Sequence, residues 1–191
     1  MKKLLRLSAL ILALVLAITS LVACGKTEPG RGKNRDPESE ISIIVGDTKV
    51  KPHSELRYVQ SYDKQNNQGI SADGIGMFQS PSEYLQENED KIPAVNSKKI
   101  SIDLSSKGKL TKVEIYSRTD ILAVSLYDLK KTITLGETDI FADAEEAFGA
   151  LSAEGTYYVA LYVDYDGETI ETDKGTFKEG SGYTYYFKIT L

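Results

Sequence analysis

Tyr157-Tyr-Val-Ala-Leu-Tyr-Val-Asp-Tyr165 and Tyr183-Thr-Tyr-Tyr-Phe-Lys-Ile-Thr-Leu191 are the stretches that decide the fold. In the first, Tyr157, Val159, Leu161, Val163 and Tyr165 recur at every second position. In the second, Tyr183, Tyr185, Phe187, Ile189 and Leu191 do the same. Successive side chains of a strand point to opposite faces, so this period predicts two strands that each bury one face. Because they are sequential they are expected to pair, with Asp166-Gly167 as the hairpin turn signal between them.

The same period runs outward through residues 41–191. Ile41, Ile43 and Val45 alternate, then Leu56, Tyr58, Gln60 and Tyr62, then Ile100, Ile102 and Leu104. Val113 and Ile115, Leu122, Val124 and Leu126, and Ile133 and Leu135 follow. Short half-buried strands separated by turn signals predict an all-β antiparallel sandwich of one domain. Two short helices interrupt it. Ser80-Pro81-Ser82-Glu83 has an N-cap, a proline at the first helical position and a capping-box Glu, predicting a turn or two toward Asn88. Asp143-Ala144-Glu145-Glu146 repeats the signal, with Ala147 and Phe148 to bury and Gly149 to end the helix in the left-handed region. Residues 65–79 and 167–182 read as elaborated loops.

Leu151-Ser-Ala-Glu-Gly155-Thr-Tyr157-Tyr-Val159 resembles the entry to the sixth strand of Ig-like and fibronectin-type domains. The resemblance implies a structural corner in which the Tyr157 hydroxyl bonds back onto upstream backbone, with Gly155 before it and Val159 where antibodies carry Cys. The chain has no Trp and a single Cys, so an antibody-type core is excluded and the broader Ig-like β-sandwich remains.

At the other end, Lys2, Lys3 and Arg6 precede an apolar run over residues 7–22, which closes on Leu21-Val22-Ala23-Cys24. This resembles the lipobox of bacterial lipoproteins. The resemblance implies a signal peptide over residues 1–23 and lipidation of Cys24 through a diacylglycerol anchor and palmitate. A transmembrane anchor needs about 20 apolar residues, and this run is shorter and carries Ser8, Thr19 and Ser20. An ordinary signal peptide cut after Ala23, with Cys24 as a bystander, is the alternative. Within residues 24–40, everything after Cys24 is Gly, Pro, charged or polar, the composition of a flexible linker. The expected location is the extracytoplasmic face of the cell membrane.

Ile43-Ile44-Val45-Gly46-Asp47 with Val50 and Pro52, Tyr58 to Asp63, Ile92-Pro93, Gly155-Thr-Tyr157 and Tyr185-Tyr186-Phe187-Lys188 fall in a recognisable order. They resemble a group of Gram-positive cell-surface lipoproteins and the extracellular C-terminal module of some BlaR/MecR-type membrane regulators. That resemblance implies a sensing or signalling context and carries no catalytic residue.

Charge narrows the partners. The chain has 23 Lys and Arg against 28 Asp and Glu, a net charge of −5. Without Lys2, Lys3 and Arg6 the balance is 20 against 28, a net charge of −8, which disfavours nucleic acid. The sole histidine, His53, reads as a surface-loop residue, and no H-x-x-x-H or G-x-S-x-G pattern is present. Gly180-Ser181-Gly182 lacks the spacing of a nucleophile elbow, and Gly74-Ile75-Gly76 lacks a third glycine. Asp164, Asp166 and Glu168, with Glu171 and Asp173, are weak calcium candidates. They also raise the remote alternative of an acidic-cleft hydrolase. No cofactor is expected.

If Tyr157 and Val159 face inward, Tyr158, Tyr162 and Tyr186 face outward on neighbouring strands. They then form either a recognition face or stabilising cross-strand pairs. The reading is a non-enzymatic binding or sensing module for a protein or envelope component. A structural spacer or envelope-stress accessory is its alternative.

Overall fold

The computed structural model describes residues 41–73, 79–105, 107–121, 124–136, 139–152 and 154–191. The expected signal peptide, Cys24, the linker, residues 74–76 and Leu122 lie outside them. Ten strands and two α-helices follow in order among the described residues. They are β1 Ile41–Val45, β2 Thr48–Val50, β3 His53–Asp63, β4 Gln68–Asp73 and α1 Pro81–Asn88, which runs into a 3₁₀ turn at Glu89–Lys91. Then come β5 Ala94–Val95, β6 Ser101–Leu104, β7 Gly108–Ile121, β8 Val124–Thr134, α2 Ile140–Gly149, β9 Thr156–Thr172 and β10 Gly175–Thr190.

The strands form two sheets, as the alternation predicts. A small sheet has the order β2-β1-β6, and a large one β4-β3-β10-β9-β7-β8. The short β5 pairs parallel with β10 through Lys188↔Ala94 and Ile189↔Val95. Between the sheets lies the main core. Val159, Leu161 and Val163 of β9 and Tyr185, Phe187 and Ile189 of β10 pack there with Val113 and Ile115 of β7 and Ile41 and Ile43 of β1. Helix α2 joins the small sheet on this side, placing Phe148 edge-on to Phe187 at 5.9 Å between ring centroids.

Both helices form, and one begins elsewhere than expected. Ser80 and Glu83 make the reciprocal capping box, Ser80 N–H donating to Glu83 Oε2 at 2.8 Å, with Pro81 at the helix start. For α2 the cap is Asp139, whose carboxylate accepts from Phe141 N–H at 3.0 Å. The helix therefore starts four residues before the Asp143 signal. Ala147 and Phe148 are buried as expected, but Gly149 is still helical, and Ala150 closes the helix with right-handed φ −82°.

The β9–β10 hairpin corrects the turn assignment. Asp166-Gly167 is not a turn: Asp166 pairs with Gly180, and the ladder runs on to Thr172↔Gly175. Asp173 and Lys174 make the bend, with Gly175 at φ +122° where a side chain would be strained. Apart from that bend, residues 167–182 are thus strand rather than loop. Within 65–79, Gln68–Asp73 is likewise strand and pairs back onto β3. His53 begins β3 instead of lying in a surface loop. The Tyr157 hydroxyl reaches upstream to the Ser152 side-chain hydroxyl. Gly155 sits under that ring at φ +127°, and Val159 is fully buried. Among the described residues no helix is long and apolar enough to cross a membrane.

Gly182 lies in β10 directly under the Tyr58 ring, where a Cβ would collide with ring carbons and the Arg57 guanidinium. Gly182→Ala should therefore destabilise the fold by about 1–3 kcal/mol, as for an overpacked site, and lower the midpoint of urea unfolding accordingly. A variant as stable as the parent would show that Tyr58 swings away at no cost.

Candidate functional site

The face of the large sheet turned away from the main core is built in three cross-strand rows. Lys188, Tyr158 and Tyr116 stand side by side on β10, β9 and β7, then Tyr186, Ala160 and Glu114, then Thr184, Tyr162 and Lys112. Tyr158, Tyr162 and Tyr186 do share this face, as the alternation predicts. They are not a surface, however, with relative exposures of 1%, 9% and 1%. The expected exposed recognition face is corrected to a second core. Tyr84 and Leu85 of α1, together with Ile92, close over Tyr116, Tyr127, Tyr158, Ala160, Tyr162 and Tyr186. Tyr84 stacks on Tyr186 at 4.5 Å, and Tyr127 meets Tyr158 edge-on at 4.9 Å.

A buried phenol keeps its hydroxyl satisfied or pays a desolvation cost, and three carboxylates provide the acceptors. Glu114 accepts from Tyr116 at 2.6 Å, Tyr162 at 2.7 Å and Lys112 Nζ at 2.9 Å. The small Ala160 beside it in the register leaves the space that these groups converge on. Glu89, in the 3₁₀ turn after α1, accepts from Tyr158, from Tyr127 at 3.0 Å and from Arg118. Glu55 accepts from Tyr186 at 3.2 Å. Burial pushes the Glu89 and Glu114 carboxyls up, but the converging donors outweigh it and hold both below the usual range. For Glu55 burial prevails over its one tyrosine bond, and its carboxyl is raised. Burial first, then the bond to Glu89, pushes Tyr158 up to about 12.

Where the tyrosine layer ends, an open cleft of about 390 Å³ begins, lined by Glu89, Arg118, Asp120, Thr156, Tyr158, Lys188 and Thr190. Arg118 is shared between two carboxylates, Glu89 and Asp120, the latter at 2.8 Å from Nε. Ser125 also donates to Asp120 at 2.9 Å. Lys188 differs. Its ammonium donates to the Glu89 backbone oxygen at 3.4 Å, and no carboxylate pairs with it among the described residues. The cleft therefore offers one cation without a counter-charge, flanked by two threonines.

The structure does not bring the calcium candidates together. Asp164 is paired with Arg57, Asp166 with Lys178 at 2.9 Å, and Glu168 lies exposed beyond them on β9. Among the described residues no group of three metal-ligating side chains is positioned to hold an ion. The His53 ring stacks on Tyr84 at 6.0 Å, and among the described residues no carboxylate pairs with it. Arg57 instead packs over Tyr162, 5.2 Å from the ring centroid, with Lys112 at 3.8 Å from the same ring. Sequence spacing had no means of joining Glu89, Glu114, Arg118 and Lys188. The usable signal was Ala160 between Tyr158 and Tyr162, an apolar composition for a face assigned to water.

Glu114→Gln replaces an anionic acceptor by an amide with a donor end, and should cost about 2–3 kcal/mol. Because the folded carboxyls of Glu89 and Glu114 lie below their unfolded value of about 4.3, their stabilisation is complete above that pH. It is lost as pH falls through the lower folded values. Unfolding curves between neutral pH and acid should show this loss, and a shallower loss in Glu114→Gln. An unchanged acid limb would assign the acid sensitivity to other groups.

Comparison of the chain with protein-family models, with curated protein sequences and with solved structures returned no match.

Proposed function

We infer that the protein is a lipid-anchored, extracytoplasmic module that binds or senses a ligand and catalyses nothing. The observation that carries the binding role is the cleft: the Lys188 ammonium stands in it bonded to a backbone oxygen and to no carboxylate among the described residues. The ligand that fits is one presenting a single carboxylate, which Lys188, Thr156 and Thr190 would receive. Asp120 and Glu89 line the same cleft, so a second negative charge on the ligand, as on phosphate dianion, would be repelled about twice as strongly.

Location rests on the N-terminal sequence: three basic residues, a short apolar run, Leu21-Val22-Ala23 and then the sole cysteine, Cys24. Two acyl chains give stable anchoring where one gives marginal binding. A non-catalytic role is supported by the carboxylates themselves. A general acid needs a raised proton affinity in reach of substrate, whereas the two carboxylates that line the cleft, Glu89 and Asp120, are both lowered by their donors. An Ig-like assignment is supported by the order β10-β9-β7-β8, which corresponds to the G-F-C-C′ face of such sandwiches. Here β3 and β4 extend that face beyond the G position, and α2 stands between the C′ and F positions. The burial of Tyr158, Tyr162 and Tyr186 favours one second reading, a spacer whose faces recognise nothing.

Two measurements test this. Cys24→Ser should abolish acyl labelling and release the protein from the membrane fraction, and retention would refute the anchor. In a titration followed by amide chemical shifts, N-acetyl-alanine should perturb residues 156–158 and 188–190 of the mature protein. N-acetyl-alaninamide, inorganic phosphate and the Lys188→Gln variant should give no such response. Equal responses to acid and amide, or none to either, would leave the spacer reading.

A further inference from the structure

Sheets end in unpaired edges, and natural proteins guard them with lysine, proline, bulges or cover because a bare edge templates pairing with another chain. Apart from the two-residue β5, the large sheet ends in two such edges, β4 and β8, and they are treated differently. On β8 the register shift opposite Ile115 and Tyr116 leaves Lys130 as an extra, bulged residue, followed by Lys131. Gln86 of α1 also donates to the Ser125 backbone oxygen at 3.0 Å, capping that edge from the side. That edge is guarded three ways.

At the opposite end, β4 has none of these devices. Its sequence Gln68-Gly-Ile-Ser-Ala-Asp73 contains no Lys, Arg or Pro. Its register against β3 is unbroken from Tyr58↔Asp73 to Asp63↔Gln68. Residues 68–72 are exposed, Ile70 at 43%, and no other strand pairs with its outer side among the described residues. The strand is nevertheless held in place. The Phe177 ring lies on Gly69, whose missing side chain makes the room, and Tyr62 packs on Phe177 at 5.4 Å. Tyr62 N–H donates to Glu179 Oε1 at 2.9 Å, and Asn67 Nδ2 donates to Asp173 Oδ1 at 2.9 Å. The tip of the β3–β4 hairpin and the far half of the β9–β10 hairpin thus form one arm, pre-ordered for pairing.

We propose that the outer edge of β4 is a strand-addition site for a basic, extended segment of a partner protein. Charge selects the occupant. The arm, residues 61–72 with 166–179, carries six carboxylates against three lysines, and it contributes to the acidic balance of the whole chain. Alternate residues of an antiparallel edge present N–H and C=O outward, so an incoming strand gains a ladder while the net negative charge of the arm attracts its cations. The small side chains at Gly69, Ser71 and Ala72 place little on either face to select particular side chains. Register is then weakly specified, and the site recognises extended backbone and charge more than a motif.

The test uses the mature chain and a short capped peptide alternating lysine with valine, at low ionic strength. Anisotropy should show saturable binding, and hydrogen exchange should show new protection of the β4 amides. Ile70→Lys combined with Ser71→Lys adds the missing edge charges at exposed positions and should weaken binding by roughly tenfold or more. Alternate N-methylation of the peptide should abolish binding with the protein left unaltered. A glutamate-for-lysine peptide binding equally well would overturn the charge argument. An N-methylated peptide binding as tightly, or β4 amides left unprotected, would overturn strand addition. Concentration-dependent protection of β4 without peptide would assign the edge to a second copy of the chain and overturn the choice of partner.

Discussion

A phenol and a carboxylate solve each other's burial problem in this protein, and the second core exists because they do. Tyrosine brings large apolar area into a sheet face but leaves a hydroxyl that must find an acceptor. A carboxylate taken from water needs donors on all sides. Glu114 receives two phenols and an ammonium, and Glu89 two phenols and a guanidinium. Because Glu89 comes from the turn after α1 while its donors come from β7, β8 and β9, the same bonds that satisfy the tyrosines also fix the helix on the sheet. Apolar contact from Tyr84 and Leu85 supplies the area, and the carboxylate supplies the register.

Much of the architecture was legible because its periodicity was clean. Val159, Leu161 and Val163 and Tyr185, Phe187 and Ile189 point where the alternation puts them, and the capping box at Ser80 and Glu83 forms as written. Three readings failed for local reasons. Asp166-Gly167 is a strong turn dipeptide, but the paired strands around it extend to Thr172 and Gly175, and the ladder overrides the local preference. Asp139 caps α2 ahead of Asp143 because Ile140 and Phe141 already belong to the apolar stripe. The outward tyrosines were assigned to solvent because period two distinguishes faces but not what covers each face.

The cleft was the least legible feature. Its residues come from the 3₁₀ turn, from β7 and from both ends of the closing hairpin, so no spacing in the chain joins them. They meet because Lys188, Tyr158 and Tyr116 share one row of the sheet, and because Arg118 of β7 reaches Glu89. Its polarity follows from the tyrosine layer. Glu89 is drawn inward by two hydroxyls, Arg118 follows it, and Lys188 is left with a backbone oxygen.

The small sheet has its own implication, in mechanical terms. The described chain enters at Ile41 on β1, and β1 is the middle strand of that sheet, bonded to β2 on one side and β6 on the other. Ile41 and Ile43 are buried in the main core. A pull delivered from the N-terminal side is therefore received by a strand held in two ladders and anchored by two core side chains. Detaching it first opens the β6 ladder at Ile41 and Ser42 and then meets both ladders at Ile43 and Ile44, together with that packing.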